Sequence, residues 1–173
     1  MYKTIKEARE FAQEFKKCYT PSDVKVAICA PFTQIGVLAK EFQGTGTKVG
    51  AQNMHFADEG AFTGEISADM LKELGADYCI IGHSERRLYF GETDETVFKR
   101  TTAALDGGLT PIVCIGERLE ERESGKTEPV LLAQLRGGLG QLSTRQVEQI
   151  VIAYEPVWAI GTGKTATPEM AQD

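Results

Sequence analysis

The sequence predicts an α/β protein built on a parallel sheet, and two observations carry this prediction. Apolar runs of strand length alternate with amphipathic segments along the 173 residues. The runs are apolar along their whole length, as parallel strands covered by helices on both faces are. A turn signal closes each run. Since no repeat, low-complexity stretch or linker interrupts the alternation, we expect residues 1–173 to form a single domain.

The elements follow in order from the N-terminus. Residues 4–18 carry apolar side chains at helical spacing, and Thr4 and Glu7 are placed for a capping box. Five strands are predicted after this helix, at Val24–Cys29, Lys48–Ala51, Tyr78–Ile81, Ile112–Ile115 and Ile150–Tyr154. Helices are predicted between and beside them, at Gln34–Phe42, Ala68–Leu74, Asp94–Leu105 and Pro129–Leu142.

Composition excludes several classes of function. The chain has 25 acidic and 19 basic residues and a net charge of −6, which disfavours a nucleic-acid partner. No apolar stretch approaches the roughly 18 residues of a membrane span, and the start of the chain does not resemble a signal peptide, so we expect a cytoplasmic protein. The four cysteines lie far apart without metal-ligand spacing, so core positions are favoured and no metal site is predicted.

Two titratable residues stand where predicted strands end. His83 follows Tyr78–Ile81, just before a short helix that we expect Ser84 to cap, and Glu155 follows Ile150–Tyr154. Ligands bind at the carboxyl ends of parallel strands. A helix N-terminus disfavours a protonated imidazole, and apolar neighbours desolvate a carboxylate. The pattern therefore suggests an acid/base pair, with a structural histidine and a solvated acid as the alternatives.

In the segment after Glu155, small residues lie between stiffer flanking residues, which is the composition of a hinged lid. Gly161 and Gly163 allow backbone N–H groups to approach an anion closely, and an ordinary mobile loop is the alternative. The end of this segment, Gly163-Lys164-Thr165, resembles a nucleotide-binding P-loop. That motif requires a glycine at position 158, where this chain has tryptophan, so we exclude it.

Residues 53–66, which we call the long loop, exceed the roughly 2–6 residues usual between strand and helix. The loop carries several apolar residues, among them Met54, Phe56, Ala57, Ala61 and Phe62. So many apolar side chains would be costly in water. We interpret the loop as a dimer contact, with burial against its own subunit as the alternative.

Two segments of the chain, Tyr78–Arg87 and Ala153–Lys164, resemble the signature segments of triosephosphate isomerases. Stretches at 50–53, 60–66 and 114–117 resemble further segments in the same order. The resemblance covers essentially the whole chain. It implies a TIM (β/α)8 barrel and an isomerase of glycolysis and gluconeogenesis that interconverts dihydroxyacetone phosphate and D-glyceraldehyde 3-phosphate through an enediolate, without cofactor or metal.

The resemblance also implies roles for individual residues. Glu155 would move the proton between the two carbons, His83 would polarise the carbonyl oxygens, and the Gly161 N–H would bind the substrate phosphate. The supporting residues are Ser84 and Glu85 beside the site, and Pro156, Trp158, Ile160 and Lys164 in the lid. The family is typically homodimeric, with Thr63 approaching the neighbour's site and with Phe62 and Met54 in the same dimer loop.

The chain departs from the family pattern in length. A complete barrel needs about 250 residues, so we expect this chain to cover about strands two to six. We expect it to lack the N-terminal Asn-x-Lys segment and the C-terminal phosphate loops, and therefore to be inactive by itself. An open sheet with two bare edges is also expected to aggregate. The alternatives are a non-catalytic binding or assembly module and a split enzyme completed by other polypeptides.

Overall fold

The computed structural model describes residues 1–20, 22–160 and 165–168. Its helices are α1 Ile5–Cys18, α2 Phe32–Glu41, α3 Ala68–Glu73, α4 Ser84–Tyr89, α5 Asp94–Asp106, α6 Leu119–Glu123, α7 Thr127–Leu139 and α8 Thr144–Val147. The strands are β1 Ala27–Ala30, β2 Lys48–Ala51, β3 Tyr78–Ile81, β4 Thr110–Ile115 and β5 Val151–Tyr154, and a short 3₁₀ helix follows at Val157–Ala159.

Within the described residues, the five strands form one parallel sheet in the order β1-β2-β3-β4-β5. Each strand therefore pairs with the strand before it in the sequence, and helices connect the pairs. Such a sheet is an open arc with β1 and β5 at its edges. The prediction of a parallel α/β sheet arranged as part of a (β/α)8 barrel is confirmed.

The boundaries of β2 and β3 are those predicted, whereas β1 is shifted toward the C-terminus. Its first paired residue is Ala27, opposite Lys48, and Val24 is exposed before the strand begins. Two short helices, α6 and α8, were not predicted. Each has at most five residues, so neither is long enough to display a helical repeat of apolar positions.

Helix α1 begins as predicted. The Thr4 hydroxyl accepts a hydrogen bond from the Glu7 N–H, and the Glu7 carboxylate accepts one from the Thr4 N–H, which completes the capping box. Its buried face packs on α2, where the Phe15 ring meets the edge of Phe42 at 5.5 Å between centroids. This contact attaches α1 to the helix that follows the first strand.

The core lies between the sheet and its helices. Its largest fully buried apolar side chains are Ile35, Leu38, Met54, Leu71, Ile81, Val97 and Val113. Of the four cysteines, Cys79 and Cys114 are buried, Cys29 is half-buried and Cys18 is exposed. Within the same described ranges, no helix is both long and apolar enough to cross a membrane, and no three His, Cys, Asp or Glu side chains cluster as a metal site requires.

Candidate active site

The carboxyl ends of β3, β4 and β5 lie side by side because the three strands are parallel and adjacent. His83 lies two residues after β3, Gly116 directly follows β4, and Glu155 directly follows β5. The sheet thus brings together side chains and backbone that are far apart in the sequence.

His83 and Glu155 are in direct contact. His83 Nε2 lies 2.8 Å from Glu155 Oε1, and the Ser84 N–H donates to Glu155 Oε2 over 3.0 Å. Both oxygens of the carboxylate are therefore held by groups that follow β3. The sequence placed the two residues at one edge of the sheet, and the structure joins them as a pair.

His83, and not Ser84 as predicted, is the N-cap of α4. Its Nδ1 accepts a hydrogen bond from the Glu85 N–H over 3.2 Å, which takes the place of a serine cap. Because Nδ1 accepts, the neutral ring carries its proton on Nε2, facing Glu155. The Glu85 carboxylate lies farther away, with Oε2 4.0 Å from Nδ1.

The hydrogen bond to Glu155 raises the pKa of His83, although burial of the ring acts in the opposite direction. The net direction of the shift in the His83 pKa is therefore opposite to the one expected from the helix N-terminus, because the neighbouring carboxylate favours the charged imidazole. Burial by itself raises the pKa of Glu155. The hydrogen bonds from His83 and from the Ser84 N–H outweigh burial, so the net pKa lies below its ordinary value of 4.5.

Glu117 anchors the segment after Glu155, a role that sequence reasoning did not assign. The fully buried Oε1 of Glu117 accepts from the Tyr154 hydroxyl at 3.0 Å and from Trp158 Nε1 at 3.1 Å. It also pairs with Arg122, whose guanidinium lies 4.8 Å from the centre of the Trp158 ring. An acid two residues past the end of β4 was the available signal.

The predicted lid residues are described only in part. Pro156 is half-buried, Trp158 is buried in the 3₁₀ helix, and Ile160 is exposed. Val157 and Ile160 line a cavity of about 480 Å³ that Glu155 and Ser84 also border. Gly161 and Lys164, predicted to bind phosphate and to belong to the lid, lie outside the described residues.

The long loop divides into a buried base and an exposed tip. Met54 is 0% exposed and belongs to the core, and its carbonyl accepts from Arg100 Nε at 2.8 Å. Its prediction as a dimer contact is therefore wrong, because its own subunit already buries it. Phe62 is 44% exposed, with its ring 4.2 Å from that of His55, and Thr63 is exposed.

Cys114 lies close to the Glu155 carboxylate, whose charge acts on its thiol. Burial raises the pKa of its thiol to about 12. The thiol is therefore protonated at neutral pH and is a poor nucleophile.

A parallel α/β barrel sheet with an imidazole–carboxylate pair at its carboxyl edge defines the class of barrel enzymes that move protons. The family model described as Triosephosphate isomerase matches residues 1–173. The chain belongs to the triosephosphate isomerase family.

Individual relatives agree with the family assignment. The triosephosphate isomerase of Solibacter usitatus is 56% identical over 174 residues, covering 100% of this chain and 70% of that protein. The triosephosphate isomerase of Clostridium botulinum (strain Okra) is 54% identical over 173 residues, with 100% and 70% covered. That of Acetivibrio thermocellus is 53% identical over 173 residues, with 100% and 69% covered.

Proposed function

We propose that this chain acts in the reversible interconversion of dihydroxyacetone phosphate and D-glyceraldehyde 3-phosphate. The observation that carries the proposal is the 2.8 Å contact between His83 and Glu155 at the carboxyl edge of the sheet. In the reaction one proton moves between neighbouring carbons and one between their oxygens. Substrate and product are isomers, so the balance needs no oxidant, metal or cofactor.

Glu155 is the proposed base. Its lowered pKa keeps the carboxylate ionised at neutral pH, which is the form that accepts a proton. It takes the proton next to the carbonyl and returns it to the neighbouring carbon. Ser84 supports this role, because its N–H holds one carboxylate oxygen in place.

His83 is the proposed electrophile. Its Nδ1 is occupied by the Glu85 N–H, so the Nε2 proton is the one available to a substrate oxygen. That oxygen would replace Glu155 Oε1 as the partner of Nε2. Displacing the carboxylate removes the main cause of the raised pKa of His83 and favours the neutral imidazole, whose Nε2–H can donate to a carbonyl oxygen and polarise it.

The segment from Pro156 to Ala166 is the proposed lid, with the Gly161 N–H on the substrate phosphate and Lys164 in the moving part. Its described start is fixed by the hydrogen bond from Trp158 to the buried Glu117. Closure over a triose phosphate would exclude water from the enediolate and limit loss of phosphate.

The test is an isomerisation assay with D-glyceraldehyde 3-phosphate. Residues 1–173 contain no Asn-x-Lys sequence, and we expect them to show negligible turnover alone. We expect turnover after assembly with the rest of the Solibacter usitatus relative, the part that lies outside its match to this chain. We call this complex the assembled isomerase. Fast turnover by residues 1–173 alone would contradict the first expectation.

A complex that assembles without turning over substrate would contradict the isomerase proposal. It would favour the non-catalytic assembly module instead. Co-purification of the segments in equal amounts shows assembly independently of activity.

We also propose that the complete enzyme is a homodimer formed through the tip of the long loop, with Thr63 near the neighbour's site. The exposed Phe62 supports this proposal, as do the exposed Leu88, Tyr89 and Phe90 at the end of α4. Sedimentation of the assembled isomerase should give a dimer, and F62D should give a monomer. V24D, which adds the same charge at another exposed apolar residue, should remain dimeric. A monomeric parent enzyme would contradict the proposal.

A further inference from the structure

We propose that Gln134 is a positioning residue for Glu155, acting through the backbone of Gly116. This inference rests on the proposed function, in which Glu155 is the base. Gln134 lies on α7, far from Glu155 in the sequence, and no motif includes it. Its side chain nevertheless borders the same cavity as Gly116 and Glu155.

The Gln134 amide holds both backbone groups of Gly116. The Gly116 N–H donates to Gln134 Oε1 over 2.9 Å, and Gln134 Nε2 donates to the Gly116 carbonyl over 3.0 Å. Only one orientation of the amide satisfies both bonds, so the pair of contacts fixes its direction. The side chain thus bonds to the end of β4 as a neighbouring strand would.

Gly116 in turn touches the backbone of the base. A Cβ built on Gly116 would lie 1.9 Å from the Glu155 carbonyl oxygen and 3.1 Å from Val157 Cγ2. The Glu155 N–H also donates to the Ile115 carbonyl over 2.7 Å. Both backbone groups of Glu155 therefore lie against the peptide segment that Gln134 holds.

Glu117 extends the same connection. It follows Gly116 directly and accepts the hydrogen bonds of Tyr154 and Trp158, the residues on either side of the stretch from Glu155 to Val157. A change in the Gly116 peptide would move this anchor together with the base. We call the two hydrogen bonds between Gln134 and Gly116 the clamp. Since a misplacement of the base by about 1 Å can cost roughly 100-fold in rate, the clamp bears directly on catalysis.

A structural role alone, fastening α7 to the sheet, would affect unfolding but not the His83–Glu155 pair. The experiment therefore compares Q134L with Q149L in the assembled isomerase. Gln149 is exposed and donates to the Arg145 carbonyl, so its replacement makes the same chemical change away from the site. Three quantities are measured: the unfolding temperature, kcat and KM, and the pKa of His83 by NMR.

For Q134L we expect kcat to fall roughly 10- to 100-fold with KM changed by less than about twofold. We also expect the pKa of His83 to fall toward its ordinary value, because the displaced carboxylate no longer pairs with Nε2. Glu85 and Glu92, the other acids acting on His83, are unchanged in every variant. Q149L should match the parent enzyme in all three measurements.

Q134E keeps the acceptor for the Gly116 N–H, loses the donor to the carbonyl and places a negative charge against that carbonyl, so it tests the two Gln134–Gly116 hydrogen bonds if Q134L does not fold. Its kcat should also fall. An unchanged kcat and His83 pKa in a folded Gln134 variant would overturn the inference. If the assembled parent shows no isomerase activity, the proposed function fails by itself, and the His83 pKa still decides whether Gln134 positions Glu155.

Discussion

The variant E155Q is expected to lose about 1,000-fold or more of the isomerase activity of the assembled enzyme, since general-base catalysis contributes roughly 10²–10⁴-fold. The amide has nearly the same shape as the carboxylate but cannot accept the substrate proton. Its carbonyl can still accept the hydrogen bond from His83 Nε2 or from the Ser84 N–H, so the fold should persist. The loss should appear in kcat with little change in KM.

The same variant should lower the pKa of His83 toward its ordinary value, because the hydrogen bond to the Glu155 carboxylate is the main cause of the increase. NMR titration of the imidazole measures this change without substrate. E148Q is the matched control, because it removes the same charge from an exposed acid at the end of α8. Retention of more than about a tenth of the parent activity by E155Q would contradict its role as the base.

The second large effect is expected from G116A. The added methyl group would lie 1.9 Å from the Glu155 carbonyl oxygen, a backbone atom that cannot move as a flexible side chain does. The ends of β4 and β5 must therefore separate. We expect a loss of about 100-fold or more in kcat and of about 1–3 kcal/mol in the free energy of unfolding.

G36A is the control for this substitution. Gly36 lies inside α2, and a Cβ there would lie 3.4 Å from Leu74 Cδ2, an ordinary contact. Alanine favours a helix interior over glycine by roughly 0.5–1 kcal/mol, so this variant should be as stable as the parent or more stable. Chemical denaturation and the isomerase assay measure both variants. Parent-like activity in G116A would show that the close approach to Glu155 is unimportant.

The strands were predicted well because each is a continuous apolar run with a turn signal at its end. Lys48–Ala51 and Tyr78–Ile81 have the predicted bounds, whereas the predicted Val24–Cys29 did not. Pairing with β2 decides where β1 begins, and the sequence of a single strand does not reveal its partner's register. The short helices α6 and α8 were not predicted, because each has too few turns to show a helical repeat of apolar residues.

Some residues of the candidate site were likewise predicted from the sequence, and others were found only in the structure. His83 and Glu155 were found because strand ends in a parallel sheet share one edge, so position in the sequence implies position in space. Glu117 and Gln134 were not found, because their roles depend on a hydrogen bond to Trp158 and on two bonds to Gly116. Neither contact follows from local pattern, since each joins residues on different elements.

The sequence by itself determined the order of strands and helices, the family, and the edge at which the titratable pair lies. These properties arise from local periodicity, turn signals and the geometry common to parallel sheets. Only the tertiary structure decided that His83 caps α4 and contacts Glu155, that its pKa is raised, and that Met54 is buried. These depend on which groups meet through space, where the hydrogen bond from His83 to a carboxylate outweighs the burial of its ring.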